Sequence, residues 1–172
     1  MTDNRMEAIL AGYQDDSKWD GARYEHIKRI SNGKVGDVGQ DYVEKICEDN
    51  GVQCEFPLGT NGKRARTSPW DIRIGGITFE LKTATEDVSG AFQFNHIRYH
   101  REYEALICLG VAPDCIYFNI WSKADVATGK AGRLASMEKN GNASHKLTKR
   151  PDALYSIDDF IPALTKFIED FS

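Results

Sequence analysis

No run of apolar residues in this chain approaches the roughly 18 that a membrane-crossing helix needs, and the first residues lack the apolar core of a secretory leader. A membrane protein is excluded on these grounds, and the expected compartment is the cytoplasm. The four cysteines, Cys47, Cys54, Cys108 and Cys115, form no C-x-x-C pair. Each lies in or beside an apolar stretch, so buried free thiols are expected in place of a zinc site or a disulfide framework. There is also no excess of positive charge: the formal net charge is −4, which argues against a protein coated with positive potential and leaves nucleic-acid binding to local patches. Internal repeats and low-complexity tracts are absent as well. What remains is 172 residues, 41% hydrophobic and 28% charged, a size and balance that suit one soluble domain with its own core.

Apolar spacing organises this domain. Met6 to Ile30 reads as two short helices, with Met6, Ile9, Leu10 and Tyr13 on one face and Tyr24, Ile27 and Ile30 on another. Val35 to Asp49 is a clearer helix carrying Val38, Tyr42, Val43 and Ile46, stopped by Asn50-Gly51. Val52 to Phe56 reads as a strand, followed by a polar loop containing Lys63, Arg64 and Arg66. Trp70 to Ile74 and Ile77 to Leu81 flank Gly75-Gly76, the pattern of a hairpin with a primed turn. An amphipathic segment near Phe92 to Arg101 is read as a helix. Ala105–Val111 and Cys115–Trp121 are continuous apolar runs of the kind found in buried strands. Ser122 is placed to cap a short helix, the stretch from Gly129 to Arg150 is polar and basic, and Ser156 to Phe171 forms a packing helix. The implied fold is α/β, a central mixed β-sheet flanked by helices in three layers. Within one domain, residues 34–121 form the expected catalytic core, 122–155 a basic loop region and 156–172 the C-terminal packing helix.

Three residues stand out chemically. Glu80 and Lys82 are two apart in a strand and therefore share one face, while Phe79 and Leu81 share the other. Asp71, on the opposite arm of the hairpin, can converge with Glu80. Hydrolysis of a phosphodiester needs an activated water and a sink for charge on phosphorus, and Mg²⁺ is commonly held by one or two carboxylates, with waters and substrate completing its shell. An acid-x-lysine triplet alone says little, since Asp16-Ser17-Lys18 is another. The strand, the upstream aspartate and the basic loop before it give this one its weight, although a salt bridge on an exposed strand face would use the same residues.

The segments Pro69-Trp70-Asp71 and Glu80-Leu81-Lys82 resemble the PD-(D/E)XK nucleases, most closely the small, PvuII-like type II restriction endonucleases, over roughly Val35 to Trp121. Trp70 is inserted between the proline and the aspartate. The resemblance implies that Asp71 and Glu80 bind one or two Mg²⁺ ions and that Lys82 orients water or stabilises charge. Many members have a further acid on the preceding helix. The best-aligned position here holds Gln40, with Asp41 and Glu44 nearby, and Glu44 is the preferred third metal ligand.

Lys63, Arg64 and Arg66 are candidate phosphate contacts. Gln93, Asn95, His96 and Arg98 are candidates for reading base edges, and Lys146, Lys149 and Arg150 for gripping DNA. His96 and His100 have no third partner at metal-ligand spacing. The expected activity is a Mg²⁺-dependent endonuclease on double-stranded DNA, of the type II restriction kind. The alternatives are a repair or recombination nuclease of the same fold, or a catalytically silent DNA-binding subunit. A palindromic target implies a homodimer.

Overall fold

The computed structural model describes residues 4–11, 16–65, 68–137 and 144–171; the expectations for Tyr13 and Arg66, and for the middle of the basic stretch, lie outside them. The first helix, α1, is Asn4–Ala11, followed by single turns of 3₁₀ helix at Ser17–Trp19 and Glu25–Arg29 where a second short helix was expected. The apolar side of α1 does not enter the core, and Met6, Ile9 and Leu10 stand more than half exposed. The main early helix is α2, Asn32–Asp49, which buries Val35, Gly39, Val43 and Cys47. This four-residue spacing lays one stripe along the sheet.

A six-stranded sheet follows. It comprises β1 (Cys54–Glu55), β2 (Ile72–Ile74), β3 (Ile77–Thr85), β5 (Ala105–Val111), β6 (Ile116–Ser122) and β9 (Tyr155–Ser156), in the order β1-β2-β3-β5-β6-β9. β3 and β5 are parallel, and every other neighbouring pair is antiparallel. The turn between β2 and β3 has Gly75 and Gly76 at φ 60° and 82°, the left-handed conformation that a primed two-residue turn requires at both positions.

Phe92 to Ile97 forms a strand, β4, where a helix was expected. Phe92 and Phe94 are buried and alternate with exposed Gln93 and Asn95. That period of two overrides the amphipathic pattern when read over a longer window. Within the basic stretch lie β7 (Leu134–Ser136) and β8 (His145–Lys149), giving a second, three-stranded antiparallel sheet, β4-β8-β7. α3 (Lys123–Ala127) begins at Ser122, whose Oγ accepts from Asp125 N at 3.1 Å, as the sequence suggests. The last helix is α4, Phe160–Asp170.

Two apolar clusters fill the layers. On one face of the large sheet, Phe79, Leu81, Ile107 and Leu109 meet Val43 and Cys47 of α2 and Phe160 and Leu164 of α4. On the other, Leu106 and Cys108 meet Phe92 and Phe94 of β4 and Leu147 of β8. The mixed sheet therefore has helices on one side and the small sheet on the other. α2 crosses β3 at Gly39, where a Cβ would stand 1.8 Å from Thr83 Oγ1, so only glycine permits this approach.

Candidate active site

The site arises from a mismatch in strand length. β3 runs on past the end of β2, and the N–H of Leu81 points to the side that β2 no longer covers. Asp71, just before β2, extends the pairing with its own N–H, which donates to Phe79 O at 2.8 Å. Its carboxylate then takes the vacant place, Oδ2 accepting from Leu81 N at 2.8 Å. A buried backbone donor is satisfied in this way, and the Asp71 side chain is fixed beside Glu80.

Glu80 is only 7% exposed. Its Oε1 lies 2.9 Å from Lys82 Nζ, and both side chains are largely shielded from solvent. The same-face geometry expected from the spacing is therefore present. Among the described residues Asp71 has no such cation in contact. Burial first, and the Glu80 charge second, push its carboxyl up to about 6; the Leu81 N–H and the positive charges of Lys82 and Arg101 oppose that rise. Two carboxylates held together out of water favour a proton or a cation between them. Among the described residues no three acidic, histidine or cysteine side chains converge on one point. The donor set is thus two carboxylates without imidazole or thiolate, which fits a hard ion such as Mg²⁺ that keeps much of its own water.

Asp71 opens onto a cleft of about 750 Å³. Gln40 and Asp41 of α2 line it, as do Arg64, Trp70 and Arg101. Glu80 and Lys82 are not part of the lining. Nor is Glu44: one turn further along α2 than Gln40 and Asp41, it pairs with Arg64 Nη2 at 3.2 Å. The acid that α2 presents to the cleft is Asp41, together with Asp37.

Of the expected DNA contacts, Arg64 lies in the cleft wall, with its guanidinium 3.5 Å from the centre of the Phe56 ring. Lys63 is exposed in the preceding loop. Gln93 and Asn95 lie on the outer face of the small sheet, where Gln93 stands opposite Thr148. Gln93 Nε2 donates to Asp87 Oδ2 at 3.0 Å. His96 is exposed at an irregularity in the β4–β8 pairing, with φ 59°. Arg98 turns back to donate to His96 O at 3.4 Å. Lys146, opposite Ala135, is half-buried. Lys149 lies with its ammonium 5.4 Å from the centre of the Trp121 ring, and Arg150 donates to Ser89 O at 3.1 Å. The last two are therefore engaged within the chain.

Two residues near the trio carried no sequence signal. Tyr103 is fully buried, its hydroxyl without a hydrogen-bond partner among the described residues; burial and the Glu80 charge raise its pKa. Arg101 is exposed and borders the cleft. Only the turn between β4 and β5 brings them to Glu80 and Asp71, and neither has a fixed spacing from Glu80-Leu81-Lys82 by which it could have been found.

No family model matches this chain, and no curated protein matches it. Among solved structures, the chain is similar in form to a bacterial homing endonuclease, I-Ssp6803I, at 13% identity and a TM-score of 0.49, over 83% of this chain and 100% of that one. At that level of overlap the likeness assigns no residue role and no activity here.

Proposed function

We propose that this protein is a metal-dependent endonuclease that hydrolyses phosphodiester bonds in double-stranded DNA. The observation that carries the reading is the placement of Asp71 and Glu80 on the two arms of one hairpin, where the Glu80 charge acts on the Asp71 carboxyl, with Lys82 at 2.9 Å from Glu80 and an open cleft in front of Asp71. The resemblance of Pro69-Trp70-Asp71 and Glu80-Leu81-Lys82 to the PD-(D/E)XK nucleases supports the same reading. Asp71 and Glu80 would hold Mg²⁺, which supplies Lewis acidity toward the phosphate.

In the reaction a water oxygen attacks phosphorus while the bond from phosphorus to the 3′ oxygen breaks; the water loses a proton and the departing 3′ oxygen gains one. Lys82 stabilises the negative charge that grows on the phosphate oxygens and orients the water. The rigid strand β3 fixes it relative to Glu80, so little reorganisation accompanies the attack. The outer face of the small sheet, with Gln93 and Asn95, suits an antiparallel ribbon entering the major groove. That arrangement supports sequence-specific cleavage of the type II restriction kind by a homodimer on a two-fold site.

The test is incubation of the purified protein with a long linear duplex and Mg²⁺, beside Asp71→Ala and Lys82→Ala. Discrete fragments from the wild type, absent with both variants and in EDTA, are the expected result. Intact DNA in every lane, across several duplexes and with Mn²⁺ in place of Mg²⁺, would sink the proposal. Cleavage confined to branched or mismatched duplexes would retain the chemistry and replace restriction by repair or recombination.

A further inference from the structure

We infer that Arg101 is a catalytic residue of this site, binding the phosphate under attack through its guanidinium. The inference rests on the nuclease reading above and adds to it a residue that the sequence motif does not contain.

The other described cations near the carboxylates are already engaged. Lys82 is held by Glu80 at 2.9 Å. Arg64, the other arginine of the cleft wall, is paired with Glu44 and packed on Phe56. Arg101 shares the cleft with Asp71, its charge is felt at that carboxylate, and it is exposed. Its guanidinium has no hydrogen-bond or ion-pair partner among the described residues. An exposed guanidinium without an ion pair is a weak device for stability. It is a good one for an incoming dianionic or monoanionic phosphate, because a planar fork of N–H donors matches two phosphate oxygens at once.

The backbone beneath Arg101 is fixed, which a positioning role requires. Arg101 O accepts from Lys123 Nζ at 2.8 Å, and Arg101 N donates to Arg98 O at 3.2 Å. Three residues on, Glu104 is tied to Thr78 of β3 in both directions: its N–H donates to Thr78 O and Thr78 Oγ1, and its carboxylate accepts from Thr78 N at 3.2 Å. Between them Tyr103 is buried completely. The segment is therefore anchored to the same strand that carries Glu80 and Lys82, while the exposed side chain of Arg101 is free to reach substrate.

The experiment compares Arg101→Ala and Arg101→Lys with the wild type. Steady-state cleavage of plasmid gives kcat and KM. Anisotropy of a labelled mixed-sequence duplex, read with Lys82→Ala as the cleavage-dead background in Mg²⁺, gives affinity as a function of salt. Arg101→Ala should lower kcat about 100-fold, the size of losing one preorganised charge-stabilising donor. It should also reduce the slope of log affinity against log salt by about 0.9, the signature of one lost phosphate contact. Arg101→Lys should retain the slope and recover part of kcat. Circular dichroism should be unchanged throughout. An unchanged salt slope, or a raised KM with kcat intact, overturns the inference while leaving the nuclease reading in place. A wild-type protein that neither binds nor cleaves duplex overturns both.

Discussion

Replacing Asp71 by asparagine should stabilise the metal-free protein while abolishing cleavage. Asparagine is nearly isosteric and its Oδ1 can still accept the Leu81 N–H, so the hydrogen bond that caps β3 is kept. What changes is charge. In the folded chain the Asp71 carboxyl titrates at about 6 against an ordinary 3.8; the folded state thus binds this proton more tightly than the unfolded chain does. Stability is therefore undiminished below about pH 4, declines as the pH rises to about 6, and stays lower above that. At 1.36 kcal/mol per unit, the cost of ionising Asp71 in place amounts to about 3 kcal/mol at neutral pH. For a chain of 172 residues this corresponds to a rise in Tm of about 6–12 °C in Asp71→Asn. Thermal or urea unfolding in EDTA between pH 3.5 and 8 measures it. The gain should be full at pH 7.5 and nearly nil below pH 4. Added Mg²⁺ should raise the Tm of the wild type and leave that of the variant almost unmoved, since a ligand stabilises only the state that binds it. A gain of the same size at every pH would trace to packing and refute the electrostatic argument, as would no gain at all.

Other perturbations address the frame around the site. Gly39→Ala should cost about 1–3 kcal/mol by forcing α2 off β3 at Thr83. Gly36→Ala, in the same helix with open space at its Cβ, should instead add about 0.5–1 kcal/mol; urea midpoints compare the two. Brief iodoacetamide treatment of the native protein should label exposed Cys115 before Cys47 and Cys108, which are buried with thiol pKa values pushed up, that of Cys47 to about 12; peptide mass mapping reads the order. Glu44→Ala should leave cleavage with Mg²⁺ within a few-fold of wild type because Glu44 holds Arg64 and does not face the cleft, whereas a tenfold or greater rise in the Mg²⁺ needed for cleavage would restore it as a ligand.

The parts of this fold that were legible in the sequence are those set by short-range rules. Gly75-Gly76 marked the hairpin because both positions need positive φ. Glu80 and Lys82 were placed on one face by the strand period, and the apolar runs of β5 and β6 announced themselves as strands. The second sheet was not legible. β4 reads as amphipathic at either period over its short length, and what decides is that Phe94 finds Leu147 across the β4–β8 pairing, a contact from a distant part of the chain. That Glu44 pairs with Arg64 and does not line the cleft was not legible for a related reason. Helical spacing puts it in the same stripe as Gln40 and Asp41, and only the path of the loop that carries Arg64 determines which turn of α2 faces the cleft.

The irregularity at Asp71 explains why a pair of close carboxylates persists in a fold that gains nothing from it. Had β2 run two residues further in regular pairing, the carbonyl of Trp70 would satisfy Leu81 N–H and the Asp71 carboxylate would not be tied to the backbone of β3. Because the pairing stops, the aspartate must supply the acceptor, and the hydrogen bond at 2.8 Å fixes its carboxylate where ionisation is unfavourable. The backbone thus uses an ordinary requirement, an acceptor for every buried donor, to hold a charge arrangement that stability alone would disperse. Strain of that kind is tolerated where the surrounding structure over-determines it. Here β3 is locked between β2 and β5, and Lys82 offsets one of the two charges. The remaining charge faces an open cleft, where the positive charge of Arg101 only partly offsets the cost of its burial.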